Sequence, residues 1–99
     1  MTMHVYYQIR EAVYFLLDSY GLVEGTTESN ANKNGLISTL FESADNRIML
    51  TWDERNEFGY AEIWENNSWS KLSNKVMKSS DIVFKESIDK LCREIKSYL

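Results

Sequence analysis

Hydrophobic positions along the chain repeat with two different periods. From Val5 to Tyr20 they fall at Val5, Tyr6, Ile9, Ala12, Val13, Leu16, Leu17 and Tyr20. That spacing predicts an amphipathic helix of about four turns, with Gly21 as its C-terminal cap. A second helical stripe, Phe84, Ile88, Leu91, Cys92, Ile95 and Leu99, follows Ser79, Ser80 and Asp81, all of which have side chains suited to capping a helix N-terminus. Helices therefore bracket the chain.

Between them the period falls to two, and β-forming residues alternate with Asn, Asp and Gly turn signals. The pattern predicts a short strand over 22–26, a polar loop from Glu28 to Gly35, and strands over 36–43, 47–53, 58–65 and 68–73. Taking Asp45 and Asn46 as the centre of one turn sets Glu42 opposite Met49 and Phe41 opposite Leu50. A loop over 54–57 sets Trp52 opposite Gly59 and Met49 opposite Glu62. Asn66 and Asn67 tolerate positive φ and close the last hairpin, with Trp64 opposite Trp69 and Glu62 opposite Lys71.

This register sorts the side chains onto two faces. One holds Ile37, Phe41, Ile48, Leu50, Trp52, Gly59, Ala61, Ile63 and Leu72 and should receive both helices. The other holds Leu36, Leu40, Glu42, Arg47, Met49, Asp53, Phe58, Tyr60, Glu62, Trp64, Trp69 and Lys71, a mixture neither fully polar nor core-like. The expected fold is α+β: an N-terminal helix, an antiparallel β-meander of four to five strands, and a C-terminal helix, with both helices on one face of the sheet.

Composition narrows the function classes. Ninety-nine residues fit one domain, and 43% hydrophobic with 26% charged residues is a globular balance. No stretch approaches the roughly 18 consecutive apolar residues that span a bilayer, and the first residues show neither a basic n-region nor a small-residue cleavage site. The expected compartment is the cytoplasm, with no membrane partner. A lone cysteine, Cys92, builds neither a disulfide framework nor a Cys-rich zinc site, and its helical spacing makes it a small core residue.

The net charge of −4 is concentrated in the middle of the chain. Residues 42–65 hold seven acids against Arg47 and Arg55, a net of −5 that leaves the remainder at +1. A nucleic-acid binder needs a basic stripe, so direct nucleic-acid binding is not expected.

The usual catalytic constellations are missing. His4 is the sole histidine, which excludes His-based triads and His-pair metal sites, and the four glycines are isolated rather than gathered in a phosphate loop. No carboxylate spacing resembles a calcium loop, and the adjacent Asp53 and Glu54 diverge at a strand end. The sequence is therefore read as a non-enzyme without cofactor. Its candidate contact residues are Asp53, Glu54, Glu57, Phe58, Tyr60, Glu62 and Trp64, aromatic anchors beside carboxylates that steer a basic partner.

A small acidic domain with terminal helices around a meander, carrying Leu50-Thr-Trp-Asp53 and then Gly59-Tyr-Ala-Glu-Ile-Trp64, resembles immunity proteins of bacterial contact-dependent inhibition and polymorphic toxin systems. The resemblance is one of size, charge and arrangement over the whole chain. It implies a protein that binds and neutralises a cognate toxin domain, often a nuclease, with a monomer expected rather than a dimer. Two other classes share the profile: class I type III secretion chaperones, usually dimers that bind an unfolded client segment, and phage inhibitors of nucleic-acid-binding enzymes.

Overall fold

The fold follows from those two periods. A computed structural model describes residues 2–29 and 35–99. Helix α1 (Thr2–Asp18) leads into β1 (Val23–Ser29), β2 (Leu36–Glu42), β3 (Arg47–Asp53), β4 (Phe58–Glu65), β5 (Ser68–Lys71), β6 (Val76–Met77) and helix α2 (Asp81–Ser97). The antiparallel sheet runs in the order β1-β2-β3-β4-β5, and the short β6 pairs with β4 beyond the end of β5. The expected α+β meander between two helices is the observed architecture.

Both helices end or begin as the sequence dictates. Gly21 takes φ +82°, while Leu22 N–H donates to Leu17 O and Gly21 N–H to Asp18 O, a Schellman closure with Leu17 and Leu22 both buried. Ser80 accepts at its side chain from Val83 N–H and caps α2. Ile9, Val13 and Leu17 of α1 and Phe84, Leu91 and Ile95 of α2 join Ile37, Phe41, Ile48, Leu50, Trp52 and Ala61 in one buried cluster. Both helices thus cover the same sheet face. Tyr20 is the exception within the predicted α1 stripe: it lies beyond the last helical turn and is exposed.

Cross-strand pairing matches two of the three expected registers. Trp52 faces Gly59 and Met49 faces Glu62; Trp64 faces Trp69 and Glu62 faces Lys71. Asn66 (φ 53°) and Asn67 (φ 63°) form the positive-φ turn. Gly59 is required by contact, because a Cβ there would stand 3.2 Å from Trp52 Cε3 and 3.4 Å from Thr51 O.

The β2–β3 register differs by two residues: Glu42 faces Arg47 and Phe41 faces Ile48. Ser43 is the cause. Its Oγ accepts from Asp45 N–H and Asn46 N–H, and its own N–H donates to Asn46 O, which moves the turn to Ala44–Asp45. An even shift preserves the side-chain alternation, so the face assignment survives.

Strand β1 runs to Ser29 rather than ending at Thr26, crossing a bulge between Glu24 and Thr27. Its small polar residues are tolerated because this is an edge strand. Residues 30–34 of the expected polar loop lie outside the described residues. Strand β5 stops at Lys71, and β6 was not expected from its polar surroundings. Glu94 of α2 secures the link between them, accepting from the backbone N–H and side chains of both Ser73 and Asn74 at 2.7–2.9 Å. Burial acts to raise the Glu94 pKa, but those hydrogen bonds prevail and hold it below the ordinary value.

Helix α1 sends a polar group into the core with partners. Tyr6 Oη donates to Thr39 Oγ1, which also shares a 2.6 Å hydrogen bond with Thr27 Oγ1. Burial pushes the Tyr6 phenol up to about 12. The position of Tyr6 in the α1 stripe predicts its burial but not the partners of its hydroxyl.

Candidate functional site

The face of the sheet turned away from the helices is left open, and its geometry comes from the strand register. Successive rows across it read Leu36–Asp53–Phe58–Met77, then Glu28–Ser38–Thr51–Tyr60, then Leu40–Met49–Glu62–Lys71, then Val23–Glu42–Arg47–Trp64–Trp69. The centre is recessed: Thr51 is only 3% exposed although it points away from the core. Ser38 Oγ and Thr51 Oγ1 lie 3.0 Å apart there in a hydrogen bond. The resulting open groove holds about 520 Å³, floored by Leu36, Leu40, Met49, Thr51 and Tyr60, with Glu28, Glu42 and Glu62 among its lining.

Four of the candidate contact residues share one strand. Phe58, Tyr60, Glu62 and Trp64 alternate outward along β4, and the rings of Phe58 and Tyr60 stack with centroids 5.7 Å apart at 29°. Each of these rings meets a cation from the same chain: Lys75 Nζ lies 5.2 Å from Phe58 and Lys71 Nζ 4.5 Å from Tyr60. Trp64 packs edge-on against Trp69 at 5.3 Å, with Arg47 at 6.0 Å over its face. Arg47 in turn pairs with Glu42 at 3.3 Å. The aromatic margin is therefore cationic as well as acidic, because lysines of β5 and of the segment after it lie along the rings.

The remaining three candidates sit at the β3–β4 hairpin. Asp53 opposes Phe58, but its carboxylate is engaged locally, accepting from Asn56 N–H at 3.1 Å and Asn56 Nδ2 at 3.0 Å. The Asn56 side chain is the main reason its pKa is lowered. Asp53 thus builds the turn that presents its neighbours. Glu57 is exposed at φ 53° and Glu54 is half-buried, its N–H donating to Gly35 O at 2.9 Å. The hairpin acids and the β4 aromatics form two adjoining surfaces.

Two features escaped the sequence reading. Glu28 reaches the open face because β1 continues past its bulge; the Thr-Thr-Glu-Ser run was the available signal. Helix α1 carries a second, outward aromatic strip of Tyr7, Tyr14 and Phe15, the last 65% exposed, beside the Arg10–Glu24 ion pair. Positions 7, 11, 14, 15 and 18 share a helical face, so its period was legible but masked by the stronger core stripe.

Comparison with known proteins returns nothing: no family model, no curated protein and no solved structure matches this chain. Among the described residues, no three His, Cys, Asp or Glu side chains are grouped to hold a metal ion. No helix of the described residues is long and apolar enough to cross a membrane. Burial pushes the Cys92 thiol up to about 11, leaving it almost wholly protonated at neutral pH and poorly nucleophilic.

Proposed function

We propose that this chain is an immunity protein that binds a cognate toxin domain, a basic nuclease, in the cytoplasm and neutralises it by occupancy. The observation that carries the reading is the open sheet face, where Leu36, Leu40, Met49 and Tyr60 stand among carboxylates and no element of the described chain covers them. Large apolar groups left to water give no return to an isolated domain, whereas aromatic and Met anchors with charged neighbours are what protein interfaces use. Acids Glu54 and Glu57 beside this face give a basic partner a favourable approach. On this reading no residue is catalytic, no cofactor is needed, and nucleic acid is excluded from the face by its carboxylates rather than bound there.

The test is co-expression with the toxin domain encoded beside this chain. Wild type should protect the cell and co-purify with the toxin as a one-to-one complex. Glu57→Lys with Glu62→Lys, and raised salt, should weaken that complex. Asp53 is left intact because its carboxylate holds the turn. Failure of wild type to bind any neighbouring toxin sinks the reading.

The exposed α1 strip favours a second reading, a class I type III secretion chaperone, since such chaperones act as dimers with an apolar client surface. Mass in solution discriminates the two: a monomer fits the immunity reading, and a stable dimer buried on Tyr14 and Phe15 fits the chaperone. A phage-type inhibitor of a nucleic-acid-binding enzyme shares the acidic logic and would be caught by binding to such an enzyme in place of a toxin.

A further inference from the structure

We infer that the central groove of the open face, rather than the hairpin tip, seats the partner, and that its occupant is a basic amphipathic protein segment. In that segment one or two large apolar side chains would rest on Leu40 and Met49, flanked by Lys or Arg side chains that reach Glu28 and Glu62. The inference rests on the binding reading above and specifies the chemistry of the partner.

The charge distribution argues for this occupant. Among the described residues, the groove lining holds three carboxylates, Glu28, Glu42 and Glu62, and no lysine or arginine. The cations of this face are engaged along its margins, Arg47 with Glu42 and Trp64, Lys71 with Tyr60, and Lys75 with Phe58. Of the three acids, only Glu42 has an ion-pair partner among the described residues. A cation arriving with the partner would therefore meet Glu28 with no ion pair among the described residues to displace, and Glu62 beside only its cross-strand neighbour Lys71, which lies over the Tyr60 ring.

Shape agrees with charge. Glu28 on β1 and Glu62 on β4 are three strands and one row apart, roughly 16 Å from about 4.8 Å per strand spacing and about 3.4 Å per residue along a strand. Between them lie Ser38, Leu40, Met49 and the recessed Thr51, an apolar floor with one short hydroxyl pair. A basic side chain at each end with an apolar one between spans that distance. A second copy of this chain is a poor occupant, because it would bring the same three carboxylates face to face.

The test titrates two synthetic peptides of equal length into the isotopically labelled full chain, one alternating Lys with Leu and Phe, the other with Glu in place of every Lys. The basic peptide should shift amides of residues 36–40, 49–51 and 60–62, and the acidic peptide should shift none. Glu28→Lys with Glu62→Lys should weaken the basic peptide at least tenfold. Glu86→Lys with Asp89→Lys, which changes net charge equally on exposed positions of α2, should leave it within twofold. Shifts centred on residues 54–57 or on α1, or equal weakening by both double variants, overturn the groove. Neutralisation of the toxin that survives Glu28→Lys/Glu62→Lys also overturns it while leaving the immunity reading intact. Groove binding of the basic peptide with no protection by wild type does the reverse.

Discussion

The two faces of the sheet are built from alternate residues of the same strands, yet they close in different ways. Ile37, Phe41, Ile48, Leu50 and Ala61 point inward and are covered by helices of the same chain. Leu36, Leu40, Met49 and Tyr60 point outward and remain half-exposed, among the carboxylates of the groove and the cations and rings at its margin. The difference teaches that alternation alone assigns sides, while what packs on each side decides whether it closes into a core. The inner face should govern stability and, on the proposed function, the outer face recognition.

The largest effect should come from emptying the inner face. Trp52 is 2% exposed against Gly59 and Ile37, and Trp52→Ala should lose about 3–5 kcal/mol in urea unfolding. Tyr60→Ala, one strand away on the outer face, should cost about 1 kcal/mol, since only its stack with Phe58 and Lys71 is lost. Comparable losses for both would break the comparison, showing that the outer face is already closed in the free protein.

Next comes the strap that keeps the inner face shut at its β4 edge. Val76 is fully buried against Gly59, and the segment carrying it is fixed by Glu94 through Ser73 and Asn74. Glu94→Ala should cost about 1–3 kcal/mol, the range for losing hydrogen bonds to a charged acceptor. The pH dependence has a definite sign. A carboxyl held below its ordinary 4.5 in the folded state stabilises fully above that value, and the contribution drains away as pH falls through the folded value. Acid unfolding curves of wild type and Glu94→Gln should therefore converge below pH 4.5 and separate above it. Curves that stay parallel through that range would sever the strap from the core.

How much of this was legible in the sequence depends on how local each cause is. The bounds of β3 and β4 and the registers on either side of β4 were set by their own turn residues, so they read correctly. The β2–β3 turn was misplaced because a single Ser43 hydroxyl gathers two N–H groups, a choice that alternation does not encode. Strand β6 was invisible for a different reason: it pairs with Phe58 and Gly59 of β4, and the link that leads to it is held by Glu94, 20 residues beyond Asn74 on another element. At the candidate site, the outward positions of Phe58, Tyr60, Glu62 and Trp64 were legible from period two. Lys71 was legible on this face as well, but Lys75 was not, because it lies outside every strand and reaches Phe58 only through the fold.

A smaller effect separates the turns that aim the outer face from the face itself. Asn66→Ala places a Cβ residue without amide compensation at φ 53° and should cost about 1 kcal/mol. Asn67→Gly should raise the unfolding midpoint slightly. If either variant changes partner affinity more than stability, the β4–β5 hairpin belongs to the interface and not merely to its support.

The smallest effect tests the margin. Arg47→Ala removes a 3.3 Å ion pair with Glu42 and a cation 6.0 Å over Trp64, both at exposed side chains. Exposed pairs of this kind are worth about 0.2–1 kcal/mol, so the urea midpoint should hardly move. The consequence for recognition runs the other way. With Arg47 gone, Glu42 joins Glu28 and Glu62 as a groove carboxylate with no ion pair among the described residues, and a basic partner should bind more tightly at low salt, with the gain erased as salt is raised. Weaker binding instead would mean that Arg47 itself touches the partner, moving the interface from the groove floor to the Trp64–Trp69 margin.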